Sequence, residues 1–214
     1  MTQPLIVGLG SHHGDDQAGW LVLEQLQARG YPASHLFRLR KPADLLDVFD
    51  AEQTWTRRPA HCHIESEQVV GWDQRRFAAP AHHHVSTVSN GGPALEASLS
   101  HPTLIRATDL TERPDCRNTF IICDACVGTG SRPGTIHSLC WPTDKLVYQR
   151  PTGSHDLSLA DVMELGQRLG SLPKTAQIWT VQAGSWSPGL EPSLEVQSAA
   201  ARVADAIWKD HQRA

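Results

Sequence analysis

The sequence predicts a layered α/β domain built on a largely parallel sheet of roughly five strands, because short apolar runs alternate with amphipathic helical periods. The apolar run 5–10 ends in glycines, as a buried strand entering a tight loop does, and a helical period covers 15–29. The alternation then repeats along the chain. Predicted strands cover 35–39, 119–123, 135–139 and 177–181, and predicted helical segments cover 42–49, 158–169 and 193–209.

The first helical period begins and ends where local chemistry favours a helix. Ala18, Val22 and Leu26 recur every four residues and give it one apolar face. Two aspartates stand at its positive end, and Gly30 follows as a stop. Together with the strand before it, this helix forms an opening βα unit.

The later elements carry similar signatures. The apolar run 119–123 is followed by Asp124 and then by a glycine-rich loop. The helix 158–169 is closed by Gly170, and the last helical period has an apolar residue every three or four positions. Those apolar positions are Val196, Ala200, Val203 and Ile207. The α/β alternation therefore extends to residue 209.

Residues 54–115 interrupt this pattern. They have no sustained helical or strand period, and they contain six of the 12 histidines. A loop of this length is uncommon inside a compact domain, so we interpret 54–115 as a weakly structured insertion within a single domain that spans 1–214. We interpret its histidines as part of a solvated polar loop rather than as a metal site.

The composition narrows the classes of function. A formal net charge of −4 argues against a nucleic-acid-binding protein, which would need a basic surface. The first apolar run is too short for a signal peptide or a membrane span. The five cysteines, an odd number, form no closed set of disulfides and suit a reducing compartment. We therefore expect a cytoplasmic protein that does not associate with membranes.

Ligands of parallel α/β sheets bind beyond the carboxyl ends of the strands, which directs attention to the loops after Leu9 and Cys123. In the first loop the third glycine comes one residue late for G-x-G-x-x-G, and the two aspartates would repel a phosphate. A nucleotide-binding turn is therefore the weaker interpretation. We expect one of Asp15 and Asp16 to cap the helix and the other to face the crevice at the strand ends.

Two other positions have open interpretations. Asp124 either contributes to a ligand site or accepts amide hydrogen bonds from the next loop. His155, just before a helix, is a metal ligand, a cap or a surface residue. Cys123 and Cys126 have C-x-x-C spacing without a second ligand pair, which favours ordinary buried thiols over a zinc site.

Taken in order, several short motifs resemble those of the hydrogenase maturation proteases. They are Gly8-Leu9-Gly10-Ser11 with Gly14-Asp15-Asp16, Ile121-Ile122-Cys123-Asp124-Ala125, Arg132-Pro133-Gly134-Thr135-Ile136, Ser154-His155-Asp156-Leu157, Leu159-Ala160-Asp161-Val162 and Leu190-Glu191-Pro192. The resemblance covers roughly residues 4–50 and 117–207. It implies a three-layer α/β/α sandwich and favours a monomer.

The resemblance also implies an activity. Members of this family are endopeptidases that remove the C-terminal extension of a nickel–iron hydrogenase large-subunit precursor after nickel insertion. The positions that contact the metal in the family fall on Asp16, Asp124 and His155, the first of which is often glutamate in the family. Two carboxylates and an imidazole suit nickel, here presented by the precursor, and three protein ligands leave positions open for the substrate.

Three points stay open at this level. Asp16 is also the candidate general base, and no residue is marked as a nucleophile. His12 and His13 replace the apolar or basic pair that is usual in the family, so His13 is an extra ligand, a proton shuttle or a solvent-facing loop residue. A non-catalytic chaperone that holds nickel for hydrogenase assembly is the competing function.

Overall fold

The computed structural model describes residues 3–53, 103–104, 120–128, 130–143, 145–146 and 157–213. The strands are β1 (Leu5–Leu9), β2 (Leu36–Leu39), β3 (Thr103–Leu104), β4 (Phe120–Val127), β5 (Ile136–Trp141) and β6 (Ala176–Gln182). The helices are α1 (Ala18–Ala28), α2 (Asp44–Gln53), α3 (Leu159–Leu169) and α4 (Leu194–Arg213). Two 3₁₀ turns, Gly14–Gln17 and Ala33–His35, precede α1 and β2.

The strands form one sheet with the order β2-β1-β4-β6-β5, and β3 pairs with the end of β4. All neighbouring strands are parallel except β5, which runs antiparallel to β6. The pairing of β1 with β4 stops at Cys123, and β3 pairs with β4 further along, where Thr103 lies beside Cys126. The predicted largely parallel sheet of about five strands is confirmed.

The sheet separates two apolar layers, because alternate residues of a strand point to opposite faces. On one face, Val7 and Ile122 pack with residues of α2 and α3. On the other face, Ile6 and Ile121 pack with residues of α1 and α4. The molecule is therefore the expected three-layer α/β/α sandwich.

Several boundaries differ from those predicted. The helix expected over 15–29 begins as the 3₁₀ turn Gly14–Gln17 and becomes α-helical only at α1. The strand expected to end on Asp124 continues to Val127, because Ala125 and the residue after it are also buried and suit a strand. Asp124 consequently lies inside β4 rather than in the loop that follows it.

Helix α3 shows how its sequence sets its ends. The Ser158 hydroxyl accepts a hydrogen bond from the Asp161 amide, and the Asp161 carboxylate accepts one from the Ser158 amide. This capping box satisfies amides that the first turn of a helix leaves unpaired. Gly170 closes the helix in the left-handed conformation, with φ of 71°.

Most of the predicted insertion, 54–115, lies outside the described residues, although two of its residues form β3. Cys123 and Cys126 are free and buried, as expected for ordinary thiols. Cys140, in contrast, is disulfide-bonded, which the sequence analysis did not predict. Spacing along the sequence does not reveal which cysteines a fold brings together.

Within the described part of the chain, no helix combines the length and the apolar character needed to cross a membrane.

Helix α1 approaches the backbones of β1 and β4 closely at two glycines. A Cβ atom added at Gly19 would lie 2.3 Å from the carbonyl oxygen of Leu9 and 2.4 Å from that of Cys123. A Cβ atom added at Gly8 would lie 2.5 Å from the carbonyl oxygen of Gly19. Both positions therefore require glycine, and the first turn of α1 is held against the ends of two central strands.

We expect Gly19→Ala to lower the free energy of unfolding by roughly 2–4 kcal/mol, because the new methyl group can be accommodated only if α1 moves away from two backbones. Urea unfolding followed by circular dichroism measures this loss. Gln27→Ala, an exposed position on the same helix, is the matched control and should change the value by less than about 0.5 kcal/mol. Equal stability of Gly19→Ala and the control would contradict the close packing described here.

Candidate functional site

The candidate site lies where β1 ends beside β4. The two strands are adjacent and parallel and their pairing stops at Cys123, so the loop after β1 begins beside the next residue of β4, Asp124. The loop after β1 leads into the 3₁₀ turn that carries Asp15 and Asp16, and β4 carries Asp124. All three carboxylates are buried, which is costly unless each has partners.

Asp15 is a structural residue that joins distant segments. One of its carboxylate oxygens accepts hydrogen bonds from the amides of Gly184 at 2.8 Å and Ser185 at 3.0 Å, and the other accepts one from the Ser193 amide at 2.7 Å. The expectation that one of the two aspartates caps its own helix is wrong for Asp15. Asp15 binds the loop before α4 and the residue preceding that helix, rather than capping its own helix.

Asp16 belongs to a short polar chain in the first loop. The Ser11 hydroxyl donates a hydrogen bond to the Asp16 carboxylate, and Oγ of Ser11 lies 2.7 Å from Nδ1 of His13. Ser11 and Asp16 are buried, whereas His13 is only partly covered. The sequence analysis identified His13 as a departure from the family pattern. It did not predict that Ser11 links His13 to Asp16, because the only signal for Ser11 was its place in the motif.

Asp124 is held by one side chain and one amide. Its carboxylate accepts a hydrogen bond from the Thr103 hydroxyl at 2.5 Å and another from the amide of Ala125 at 2.8 Å. The pKa of Asp124 is raised to about 8, chiefly because burial removes water from the carboxylate. The bonds from Thr103 and Ala125 oppose this rise, and the negative charge of Asp16 adds to it.

The structure thus brings two of the three predicted site residues, Asp16 and Asp124, within electrostatic range of each other. Two buried carboxylates at the same strand ends are a donor set that would be stabilised by a divalent cation, because the cation would offset both desolvation and mutual repulsion. The third residue, His155, lies outside the described residues. Among the residues that are described, no three His, Cys, Asp or Glu side chains form a metal-binding group.

Buried polar residues continue from Asp124 across the sheet. Thr180 on β6 is the register partner of Asp124, and His137 on β5 is the register partner of Thr180. Within the described part of the molecule, Nε2 of His137 has no hydrogen-bond partner. Burial lowers the pKa of His137, which favours its neutral ring. The sequence analysis missed both residues because each falls within an otherwise apolar strand.

The two thiols of β4 are poorly suited to nucleophilic chemistry. Burial raises the pKa of Cys123 above its usual range, and the charge of Asp124 adds to this rise. Burial also raises the pKa of Cys126 to about 12. A thiol must ionise before it acts as a nucleophile or a metal ligand, so both residues are inert under ordinary conditions.

Two other motifs that carry the resemblance are hydrogen-bonded close to the site loop. The Gly14 amide donates to the carbonyl oxygen of Leu190 at 3.1 Å, which ties the motif 190–192 to the first loop. The Gly134 amide donates to the carbonyl oxygen of Gln182 at 2.8 Å, next to the segment that Asp15 binds. These two motifs are therefore hydrogen-bonded next to segments that hold Asp15.

A cavity of about 590 Å³ opens beside the site loop, between α1, β2 and residues 189–192. Trp20 forms part of its wall, with the guanidinium carbon of Arg38 3.7 Å from the ring centroid. The His12 ring contacts the same indole edge-on, with centroids 4.9 Å apart. The aromatic wall thus continues directly into the loop that carries Asp16.

Comparison with known proteins gives one clear result. The chain matches no protein-family model and no curated protein sequence. Its structure, however, resembles the maturating endopeptidase HybD of Escherichia coli with a TM-score of 0.53 and 16% identity, covering 99% of this chain and 93% of that one. The maturation protease HycI of Thermococcus kodakarensis KOD1 gives a TM-score of 0.52 and 15% identity over the same shares.

The chain has the fold of the hydrogenase maturation proteases. A hydrogenase 3 maturation protease agrees, with a TM-score of 0.51 and 14% identity over 96% of this chain and 89% of the other. These matches extend over nearly all of each protein, so the likeness concerns the whole sandwich rather than a shared βα unit. The fold that the sequence motifs implied is confirmed.

We expect Asp15→Asn to lower the free energy of unfolding by roughly 2–4 kcal/mol. The asparagine side chain has only one acceptor oxygen, so at least one of the three backbone N–H groups bound by Asp15 would face another donor. Denaturant unfolding is the measurement. Asp47→Asn, an exposed acid on α2, serves as the control and should cost less than about 0.5 kcal/mol. If both variants were equally stable, the role assigned to Asp15 would be wrong.

Replacing Asp124 should have the opposite effect. A carboxyl group whose pKa rises on folding contributes stability below its unfolded pKa, and that contribution is lost as the pH rises through its folded pKa. Metal-free Asp124→Asn should therefore match the parent chain near pH 4 and exceed its free energy of unfolding by roughly 3–5 kcal/mol above pH 8. Unfolding curves across this range, with Asp47→Asn as control, test the sign; a less stable Asp124→Asn at high pH would contradict it.

Proposed function

We propose that this protein is an endopeptidase that removes the C-terminal extension of a nickel–iron hydrogenase large-subunit precursor after nickel insertion. The observation that carries the proposal is the pair of buried carboxylates, Asp16 and Asp124, at adjacent strand ends of a fold found in hydrogenase maturation proteases. A buried, electrostatically strained pair in such a position favours a functional role.

In this proposal nickel belongs to the substrate. The precursor presents the ion, and Asp16, Asp124 and His155 complete its coordination. The raised pKa of Asp124 supports this interpretation, because a carboxylate that is costly to ionise in the free protein gains most from a neighbouring cation. A precursor without nickel offers no such gain, which explains why cleavage would wait for nickel insertion.

The proposed chemistry is hydrolysis of one peptide bond positioned by that contact. Asp16 is the candidate general base, which would take the proton from the attacking water. Its carboxylate accepts a hydrogen bond from the Ser11 hydroxyl, which fixes one of its oxygens. The buried thiols of β4 are not assigned any part in the reaction.

The proposal extends to the setting in which the protein acts. We propose a cytoplasmic monomer whose partner is the nickel-loaded large-subunit precursor. Nucleic acid is not expected among its partners, since the net charge is −4.

Mass spectrometry of the large subunit tests the activity directly. The protein is mixed with a C-terminally extended precursor, once loaded with nickel and once free of nickel. One shortened product is expected, and only from the nickel-loaded form. Retention of nickel without any loss of mass would favour the competing function, a non-catalytic nickel chaperone, and would contradict the proposal.

Two variants test the assignment of the carboxylates in the same assay. Asp16→Asn and Asp124→Asn should each lower the cleavage rate by about 100-fold or more, because each loses an anionic oxygen ligand. His155→Ala should behave likewise. Asp47→Asn should cleave at the parent rate. An Asp124→Asn protein that gained stability yet cleaved normally would show that the carboxylate has no role in recognising nickel.

A further inference from the structure

The Ser11 hydroxyl stands between two ionisable side chains. It donates to the Asp16 carboxylate, and its oxygen lies 2.7 Å from Nδ1 of His13. Ser11 is 8% exposed and Asp16 is 2% exposed, so water has little access to compete for either bond.

The bond that Ser11 donates to Asp16 fixes the direction of the bond between Ser11 and His13. A serine hydroxyl has one proton, and here it points to Asp16. The Ser11 oxygen can therefore only accept from His13, which requires a proton on Nδ1 of that ring. In its neutral form His13 consequently carries its proton on Nδ1 and its lone pair on Nε2.

His13 acts through Ser11 rather than as a direct ligand. In the described part of the chain it does not form a three-residue metal-binding group with the two carboxylates. An Asp carboxylate rotates broadly about its last side-chain torsion, and a hydroxyl whose own orientation is locked restricts that rotation. The imidazole N–H restricts the hydroxyl, because its hydrogen bond to the Ser11 oxygen favours the orientation in which the Ser11 proton points to Asp16.

We propose that His13 is a positioning residue that holds Ser11 as a fixed donor to Asp16, and thereby sets the orientation of the carboxylate that meets the nickel-bearing substrate. The second half of this inference rests on the proposed function, whereas the first half concerns this chain alone. The departure at His13 from the family pattern thus has a defined role within the site loop.

Nitrogen-15 NMR of the histidine rings tests the first half without any hydrogenase. At a pH where the ring is neutral, His13 should show a protonated Nδ1 and an unprotonated Nε2. Ser11→Ala should remove this preference. The opposite tautomer in the parent chain would overturn the proposal, whatever the protein does to a precursor.

Cleavage of the nickel-loaded precursor tests the second half. His13→Ala should lower kcat/KM by about 10–100-fold, as loss of a group that orients a ligand does. His13→Asn places an amide N–H close to the position of Nδ1 and should restore the rate to within about 3-fold of the parent. Unfolding midpoints of both variants, measured alongside, separate loss of activity from loss of fold.

His35→Ala is the matched control. Its Nδ1 lies 3.1 Å from the hydroxyl of Ser34 on the surface, so the same type of contact is lost away from the site, and the rate should not change. A His13→Asn protein as slow as His13→Ala would show that the imidazole itself is needed, which overturns the positioning role. Normal cleavage by Asp16→Asn would instead contradict the proposed function and leave the NMR result standing.

Discussion

The close contact between α1 and the two central strands is the constraint on which the site depends. Added Cβ atoms at Gly8, Gly10 and Gly19 would each fall within 2.5 Å of a carbonyl oxygen, one of them that of Asp16. Without these methyl groups the 3₁₀ turn lies directly against the strand ends, and Asp16 comes within electrostatic range of Asp124. The glycines of this loop and helix, which resemble those of a phosphate-binding turn, therefore allow a helix to pack closely on a sheet.

The fold was predictable because its elements are encoded locally. The apolar run at β1 and the four-residue spacing in α1 report which face of each element is buried, and these predictions were confirmed. Asp16 and Asp124 could be located from motif order and strand ends. The hydrogen-bond partners of the aspartates could not be predicted. Asp15 binds an amide 178 positions away, and Thr103, which donates to Asp124, comes from a range without periodicity. The assignment of His155 stays a prediction.

The two adjacent aspartates have different surroundings although one short turn carries both. Asp15 is satisfied by three amides, so its burial contributes to the stability of the folded protein. The charge of Asp16 adds to the rise in the pKa of Asp124, so the pair carries an electrostatic cost that a cation would offset. A tight turn makes this division possible, since consecutive side chains leave it in different directions.

The bonds made by Asp15 also bear on the order in which the molecule can assemble during synthesis. Its carboxylate is matched by backbone groups at positions 184, 185 and 193, which leave the ribosome long after β1 and α1. Until those groups arrive, burying the Asp15 carboxylate would leave it without hydrogen-bond partners. The turn that carries Asp15 and Asp16 is therefore not stable in its final form at that stage. A nascent chain therefore contains the strands β1 and β4 well before it contains all the backbone groups that hold the turn with Asp15 and Asp16.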